Sequence, residues 1–285
     1  MNCPLCNSAS KQAFIAKDIA VLDCDICGHR FADVNGGESF VADVYGDDYF
    51  SGGGAGYTDY AAEGDMLIER GKMYAAKLRK HAAPGSMLDV GAACGFLLKG
   101  FIDSGWTGVG IEPNASMSLL AKDKLNVDVI TGTLENAQFD RRFDLISMVQ
   151  VAGHFYDPAQ AFRTTHDLLN DGGHLLIETW NRGSLSARVL GRHWHEYSPP
   201  SVLQWFSADG LTAFLNELGL EKIDGGRPSK SISGGHARSL LKYRLGDLRL
   251  LDLIPEKLMI PYPSEDLLWA LYRKSSRETF SPDAA

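Results

Sequence analysis

The spacing of apolar positions changes character along the chain. From Glu63, Leu67, Tyr74 and Leu78 fall at i, i+7 and i+11 with Glu69, Arg70, Lys72, Lys77 and Lys80 between them, which predicts an amphipathic helix closed by Pro84-Gly85. Short apolar runs at 87–90, 107–111, 127–130, 143–149 and 174–177 then read as strands, separated by helical stretches near 96–104, 116–125 and 158–169. Downstream, Ser207 caps a helix to Leu218 that carries Leu211, Phe214, Leu215 and Leu218 on one face, and 220–223 is the next strand. Loops at 225–228 and 231–236, a basic helix over 238–249, a strand at 267–272 and a frayed tail at 281–285 complete the reading. Strands alternating with helices of this length predict an α/β fold. Its parallel sheet is covered on both faces, with ligand sites at the carboxyl ends of the strands.

The first 62 residues do not share this pattern. Cys3-Pro4-Leu5-Cys6 and Cys24-Asp25-Ile26-Cys27 are two C-x-x-C knuckles with 17 residues between them, the spacing of a four-thiolate zinc ribbon. Two knuckles complete a closed tetrahedron with no open position, so the metal is read as structural. Two disulfides or a redox dithiol are the alternatives, disfavoured in a reducing compartment. Gly28 suits the ribbon's turn, Phe31 its packing, and His29 reads as a surface residue. Residues 35–58 mix Gly, Asp, Tyr and Ser and favour turns over regular structure. Phe40, Tyr45, Tyr49, Phe50, Tyr57 and Tyr60 make that segment either a lid over a pocket or structural packing.

With 285 residues, 45% apolar and 22% charged, the chain can build a sizeable core, which excludes disorder, collagen and coiled coil. A net charge of −8 without a basic stripe argues against a grip on nucleic acid. No apolar run approaches the roughly 18–20 residues that span a bilayer, and no signal segment opens the chain, so no membrane partner and a cytoplasmic location are expected.

The chemistry concentrates after the first strand of the alternating region. Leu88-Asp89-Val90-Gly91-Ala92-Ala93-Cys94-Gly95 places glycines where the backbone turns sharply into a helix and approaches a ligand. Glu112, at the end of the next strand, follows Gly91 by 21 residues, close to the offset of an acid that accepts hydrogen bonds from a ribose diol. The dinucleotide G-x-G-x-x-G and the Walker loop are both absent, so an adenosine site that is neither NAD nor ATP is expected. Cys94, between small residues, reads as packing.

These motifs, with Gly132-Thr133-Leu134-Glu135, Phe143-Asp144-Leu145-Ile146 and Leu169-Asn170-Asp171-Gly172-Gly173, resemble the class I S-adenosylmethionine-dependent methyltransferases. The cysteine knuckles, Tyr45-Gly46-Asp47-Asp48-Tyr49-Phe50, and the Trp180 to Ser207 region are similar to the zinc-ribbon subgroup of that family, which occurs in bacterial glycan and natural-product biosynthesis. The resemblance implies a Rossmann-like, mostly parallel seven-stranded sheet with an antiparallel last strand, helices on both faces and a small N-terminal zinc ribbon. It divides the chain into a ribbon over 1–34, a lid or linker over 35–62 and a methyltransferase domain over 63–285 with a substrate-side insertion at 180–206. It assigns Asp89, Gly91, Ala93 and Gly95 to the methionine and ribose side of S-adenosylmethionine, which becomes S-adenosylhomocysteine, and Glu112 to the ribose hydroxyls. Pro113 and Asn114 flank the adenine, Thr133 and Leu134 meet its edge, Gln150 sits beside the sulfonium, and Cys3, Cys6, Cys24 and Cys27 hold Zn2+. Ala93 departs from the family's Gly-Cys-Gly, and His154 stands without the Glu that precedes it in relatives. His154 is the leading general base, with a capping or packing role as its alternative. His195 and Tyr156 are further candidates, and Arg188 and Arg192 could hold an anionic acceptor or be solvated charges. The expected acceptor is a small molecule such as a nucleotide-linked sugar or natural-product intermediate. An RNA base methyltransferase is disfavoured by the acidic charge and the missing Asn-Pro-Pro-Tyr motif; a non-catalytic binding module is the third reading.

Overall fold

The computed structural model describes residues 1–51, 63–235, 238, 249–255, 258–262 and 264–275. Tyr57, Tyr60, His236, the interior of the expected basic helix and the tail lie outside the described residues. The elements are β1 (Ser10–Ala16), β2 (Ile19–Cys24), β3 (Arg30–Ala32), α1 (Glu38–Val44), α2 (Asp47–Ser51), α3 (Gly64–Leu78), β4 (Ser86–Val90), α4 (Phe96–Asp103), β5 (Thr107–Glu112), α5 (Ala115–Leu125) and β6 (Val129–Thr131). They continue with β7 (Phe143–Val149), α6 (Pro158–Leu168), β8 (Leu169–Trp180), α7 (Leu185–Leu190), β9 (Gln204–Trp205), α8 (Ala208–Glu217), β10 (Leu220–Gly226), β11 (Lys230–Ser233), β12 (Met259–Tyr262) and β13 (Leu267–Lys274).

Seven strands form one sheet in the order β10-β13-β8-β7-β4-β5-β6. β4, β5, β6, β7 and β8 run parallel to one another, while β13 is antiparallel to both β8 and β10. Met87, Leu88, Asp89 and Val90 of the central strand β4 are all buried, as a strand covered on both faces requires. One face packs Leu88, Ile146, Phe162, Leu175 and Phe206 together, and the other packs Tyr74, Met87, Phe101, Leu145 and Trp269. Caps fix the helix starts: Asn114 accepts from the Met117 N–H at 2.9 Å, Asp157 from Gln160 at 2.9 Å, and Ser207 from Gly210 at 3.2 Å.

α3 and α4 cross at two glycines. A Cβ on Gly71 would collide with the Leu97 carbonyl, and one on Gly100 with that of Ile68. This approach seats the first half of α3, including Leu67 and Arg70, against the carboxyl edge of the sheet.

Four expectations need correction. Residues 35–51 contain α1 and α2 instead of turns alone, because Val41, Tyr45 and Phe50 bury their side chains at helical spacing. α3 stops at Leu78, short of Pro84, where Lys80 and His81 turn to meet Asp224 at 2.6 and 2.9 Å. β10 runs on through Gly226 because β13 pairs along its whole length, with an irregularity between Lys222 and Asp224. Ser231 to Ser233 pair with β12 and are not loop. No helix among the described residues is long and apolar enough to cross a membrane.

The N-terminal sheet has the order β1-β2-β3-β9, so its last strand comes from the 180–206 region. The ribbon is therefore built into the large domain. Gly71→Ala should destabilise the fold by about 1–3 kcal/mol through overpacking at the α3–α4 crossing, read by urea unfolding; unchanged stability would contradict this packing.

Candidate active site

An open cavity, about 1070 Å³ with the solvent at its mouth included, lies at the carboxyl ends of β4, β5, β6 and β7, roofed by Tyr45, Tyr49 and Phe50. Its floor is the turn after β4. Gly91, Ala93 and Gly95 all have positive φ, at 65°, 47° and 78°; Gly91 and Ala93 line the cavity, whereas Gly95 does not and instead caps α4 beside Val127 and Ala121. A Cβ on Gly91 would stand 2.5 Å from Val151 Cγ2, so glycine is required there. Ala93 accepts a conformation that costs an L-residue about 1–2 kcal/mol, and its N–H is held by Glu112 Oε2 at 2.9 Å. Cys94 is buried and its thiol pushed up to about 11 by burial, consistent with packing.

Glu112 is 4% exposed. Its second oxygen accepts from the Asn114 N–H at 2.9 Å, so each oxygen keeps one lone-pair site. Burial pushes its pKa up to about 7, opposed by the two main-chain donors. Asp89, bonded to Ser147 Oγ at 2.6 Å, and Glu135, bonded to the Tyr156 N–H at 3.2 Å, are raised to about 7, also by burial. Thr133 Oγ1 is buried without a hydrogen-bond partner. Pro113, Thr133 and Leu134 line the cavity as expected. Asn114 does not line it: its amide donates to Tyr45 O at 3.0 Å and Asp47 Oδ1 at 3.1 Å, tying the roof to α5.

Gln150 also has positive φ and donates to Glu178 Oε1 at 2.7 Å, while its N–H donates to the Glu178 carbonyl at 2.8 Å. Glu178, fully buried, also receives Arg70 Nη2 and the Tyr74 hydroxyl. An ion pair this deep depends on those added donors to offset its desolvation.

His154 lines the same cavity. Its Nδ1 lies 2.5 Å from Ser201 O, and Tyr45 Oη, 3.1 Å from Nδ1, donates to the same carbonyl at 2.7 Å. A carbonyl only accepts, so Nδ1 carries the proton and the lone pair falls on Nε2. Burial lowers the imidazole pKa, against the Ser201 and Gln150 carbonyls and Glu196, and so favours the neutral ring.

His195 and Tyr156 do not line this cavity. His195 pairs with the Glu196 carboxylate at 3.1 Å and sets its ring edge-on to Trp180; Tyr156 accepts a hydrogen bond from Asn136 Nδ2 at 3.2 Å. Arg188 and Arg192 are exposed. The 180–206 insertion faces the ribbon, not the cavity: Trp194, Tyr197 and Trp205 bury against Val21 and Ala32, because their large rings complete a core the ribbon lacks. Arg30 joins the two, bidentate on Asp23 at 2.7 Å and donating to Tyr197 Oη at 2.8 Å.

At the ribbon's other end the four sulfurs of Cys3, Cys6, Cys24 and Cys27 lie within 4.8 Å of one another. Contacts of 3.5–3.6 Å link Cys3 with Cys27 and Cys6 with both Cys24 and Cys27, near the edge of about 3.8 Å of a tetrahedron with zinc–sulfur bonds of about 2.3 Å. The cluster could hold a metal ion. His29 is not a surface residue; it is 5% exposed, and its Nε2 lies 2.9 Å from Gln204 Oε1.

Residues 63–224 match a family model described as a methyltransferase domain. The chain belongs to this methyltransferase family. It is 30% identical over 145 residues to the ubiquinone biosynthesis O-methyltransferase of Rhodopseudomonas palustris, covering 47% of this chain and 57% of that protein. The same-named protein of Ruegeria pomeroyi is 29% identical over 150 residues, covering 48% and 60%. The chain thus spans little more than half the length of these curated relatives. Among solved structures, an S-adenosylmethionine-dependent methyltransferase from Mesorhizobium loti aligns with a TM-score of 0.51 at 16% identity, covering 73% of this chain and 100% of that one. The YcgJ protein of Bacillus subtilis aligns at 0.53 and 18%, covering 73% and 99%. These likenesses establish the fold.

Several residues of this methyltransferase domain's cavity escape sequence reasoning. Arg70 sits in a run of exposed charges on α3, and only the glycine crossing turns it inward. Glu178 left a usable signal, a carboxylate directly after the apolar run Leu175-Leu176-Ile177 and in register with Val149. Glu135 lay inside a quoted motif but received no role.

Proposed function

We propose that the chain transfers a methyl group from S-adenosylmethionine to a hydroxyl of a small-molecule acceptor. The carrying observation is that Glu112, with one acceptor site left on each oxygen, and His154, its Nδ1 on the Ser201 carbonyl, share one cavity. The donor's chemistry suits the residues present. Glu112 would take both ribose hydroxyls, and the turn at Asp89, Gly91, Ala93 and Gly95 would carry the ribose and methionine. Pro113 and Leu134 would enclose the adenine, with the unpartnered Thr133 Oγ1 at its edge. Gln150 and Arg70 would border the sulfonium and the methionine carboxylate.

When bound, S-adenosylmethionine supplies an electrophilic methyl whose carbon–sulfur bond breaks as the carbon–oxygen bond forms. The protein's part is alignment, exclusion of water by the aromatic roof and removal of one proton. His154 Nε2 takes the acceptor's hydroxyl proton, and the imidazolium is held by the Ser201 carbonyl. Tyr45, Tyr49, Phe50 and Phe155 give the acceptor ring faces and edges to pack against. The O-methyltransferase names of the relatives support an oxygen acceptor. The soft thiolate donors of Cys3, Cys6, Cys24 and Cys27, at tetrahedral spacing, suit Zn2+.

Glu112→Ala should weaken S-adenosylmethionine binding by about 1.5–3 kcal/mol, measured by calorimetry. With the Glu112 pKa raised to about 7, the ionised form that accepts both hydroxyls grows as pH rises. Wild-type affinity should therefore increase about tenfold between about pH 6 and about pH 8, and a flat profile would contradict the clamp. His154→Ala, incubated with deuterated-methyl S-adenosylmethionine and fractionated cell extract, should form labelled small-molecule product roughly a hundredfold more slowly with donor affinity intact; wild-type turnover would remove the base. Metal analysis should find about one zinc per chain, lost together with N-terminal stability in Cys24→Ser; a stable metal-free wild-type chain would refute the site.

A further inference from the structure

We propose that the cysteine ribbon is a working part of the acceptor site, holding His154 in place through the segment from Ser201 to Trp205, which ends in β9, with Gln204 and His29 as positioning residues. The inference rests on the reading of His154 as the base.

This segment is occupied on two sides. On one side it meets the ribbon: Arg30 and Phe31 pair with Trp205 and Gln204, and the Ala32 N–H donates to Leu203 O at 2.8 Å. On the other side it holds both neighbours of His154. The Leu203 N–H donates to Gly153 O at 2.8 Å, and Gln204 Nε2 donates to Phe155 O at 3.0 Å. The Ser201 carbonyl takes the His154 Nδ1 proton itself. Three consecutive contacts therefore set the residue before the imidazole, the residue after it and the ring.

Gln204 is the bridge. It is 5% exposed, and its amide carries one bond in each direction, Oε1 to His29 and Nε2 to Phe155. Oε1 only accepts, so His29 Nε2 carries the proton in that bond. Exchanging the amide for an apolar group would leave the buried His29 N–H and Phe155 carbonyl unpaired, so the geometry is strongly favoured. His29 lies two residues beyond Cys27, and the preceding Gly28 carbonyl is taken by Arg182. The ribbon's own apolar core is small, with Cys3, Leu22, Cys24 and Phe31 buried and Leu5 and Ala20 against them. The cysteine end of the ribbon thus relies on the thiolate cluster, while Val21 and Ala32 hold its other end against Trp194 and Trp205, and a proton acceptor displaced by about 1 Å can lose catalytic effect a hundredfold.

The test uses the full-length, zinc-loaded chain with 15N-labelled histidine, the His154 signals being assigned against His154→Ala. Wild type should show a single Nδ1–H tautomer at His154. Gln204→Met and His29→Leu, which break the bridge from opposite sides, should each give a mixed His154 tautomer. Their S-adenosylmethionine affinity should stay within about twofold of wild type, while turnover falls at least about tenfold. His29→Gln, which restores an N–H donor, should recover both the signal and the rate. Should Gln204→Met not fold, the two His29 variants decide the matter. An unchanged His154 signal in a folded bridge variant overturns the coupling, as does a loss of donor affinity equal to the loss of turnover. If His154→Ala proves fully active, the base assignment fails, and the tautomer spectrum still decides whether the ribbon positions the ring.

Discussion

The cavity is organised by one buried carboxylate. Glu112 receives the Ala93 N–H from the turn after β4 and the Asn114 N–H from the start of α5, joining two βα connections at the carboxyl edge of the sheet. Asn114 in turn caps α5 and holds the main chain of the roof at Tyr45. Removing the carboxylate would strand two buried main-chain donors, at roughly 1–3 kcal/mol each. The left-handed Ala93 depends on the same bond. Floor, far wall and roof therefore share one electrostatic anchor, the group also best suited to meet a diol.

The rest of the cavity divides its polar work in two. Arg70, Gln150 and Tyr74 converge on the buried Glu178, a network that orders the wall between α3 and β8. His154 stands apart from it, bound to the Ser201 carbonyl and roofed by Tyr45. Burial lowers its pKa, which keeps the ring unprotonated, whereas burial raises the carboxyls of Asp89, Glu112 and Glu135 to about 7. One physical cause, desolvation by burial, thus acts on both halves with opposite sign.

Much of the site was legible in the sequence because its determinants are local. The glycines after β4, the acid at the end of β5 and the paired cysteine knuckles each declare themselves within a few positions, whereas Thr133, Leu134 and Gln150 enter only through the family resemblance. What stayed hidden depends on contacts between distant segments. The turn-rich reading of 35–51 missed α1 and α2 because tertiary burial of Val41, Tyr45 and Phe50 decides their conformation. His29 looked like a surface residue because its partner, Gln204, is 175 positions away. The resemblance implies a substrate-side insertion at 180–206, yet the rings of that insertion complete the ribbon's core. Composition shows that rings will be buried, but not which face they will cover.

A crystal structure of the protein with S-adenosylhomocysteine tests the shared cavity most directly. Both ribose hydroxyls should lie within hydrogen-bond distance of the Glu112 carboxylate, with the adenine between Pro113 and Leu134. A ligand bound elsewhere, or a ribose that leaves Glu112 untouched, would contradict the assignment of this cavity to methyl transfer.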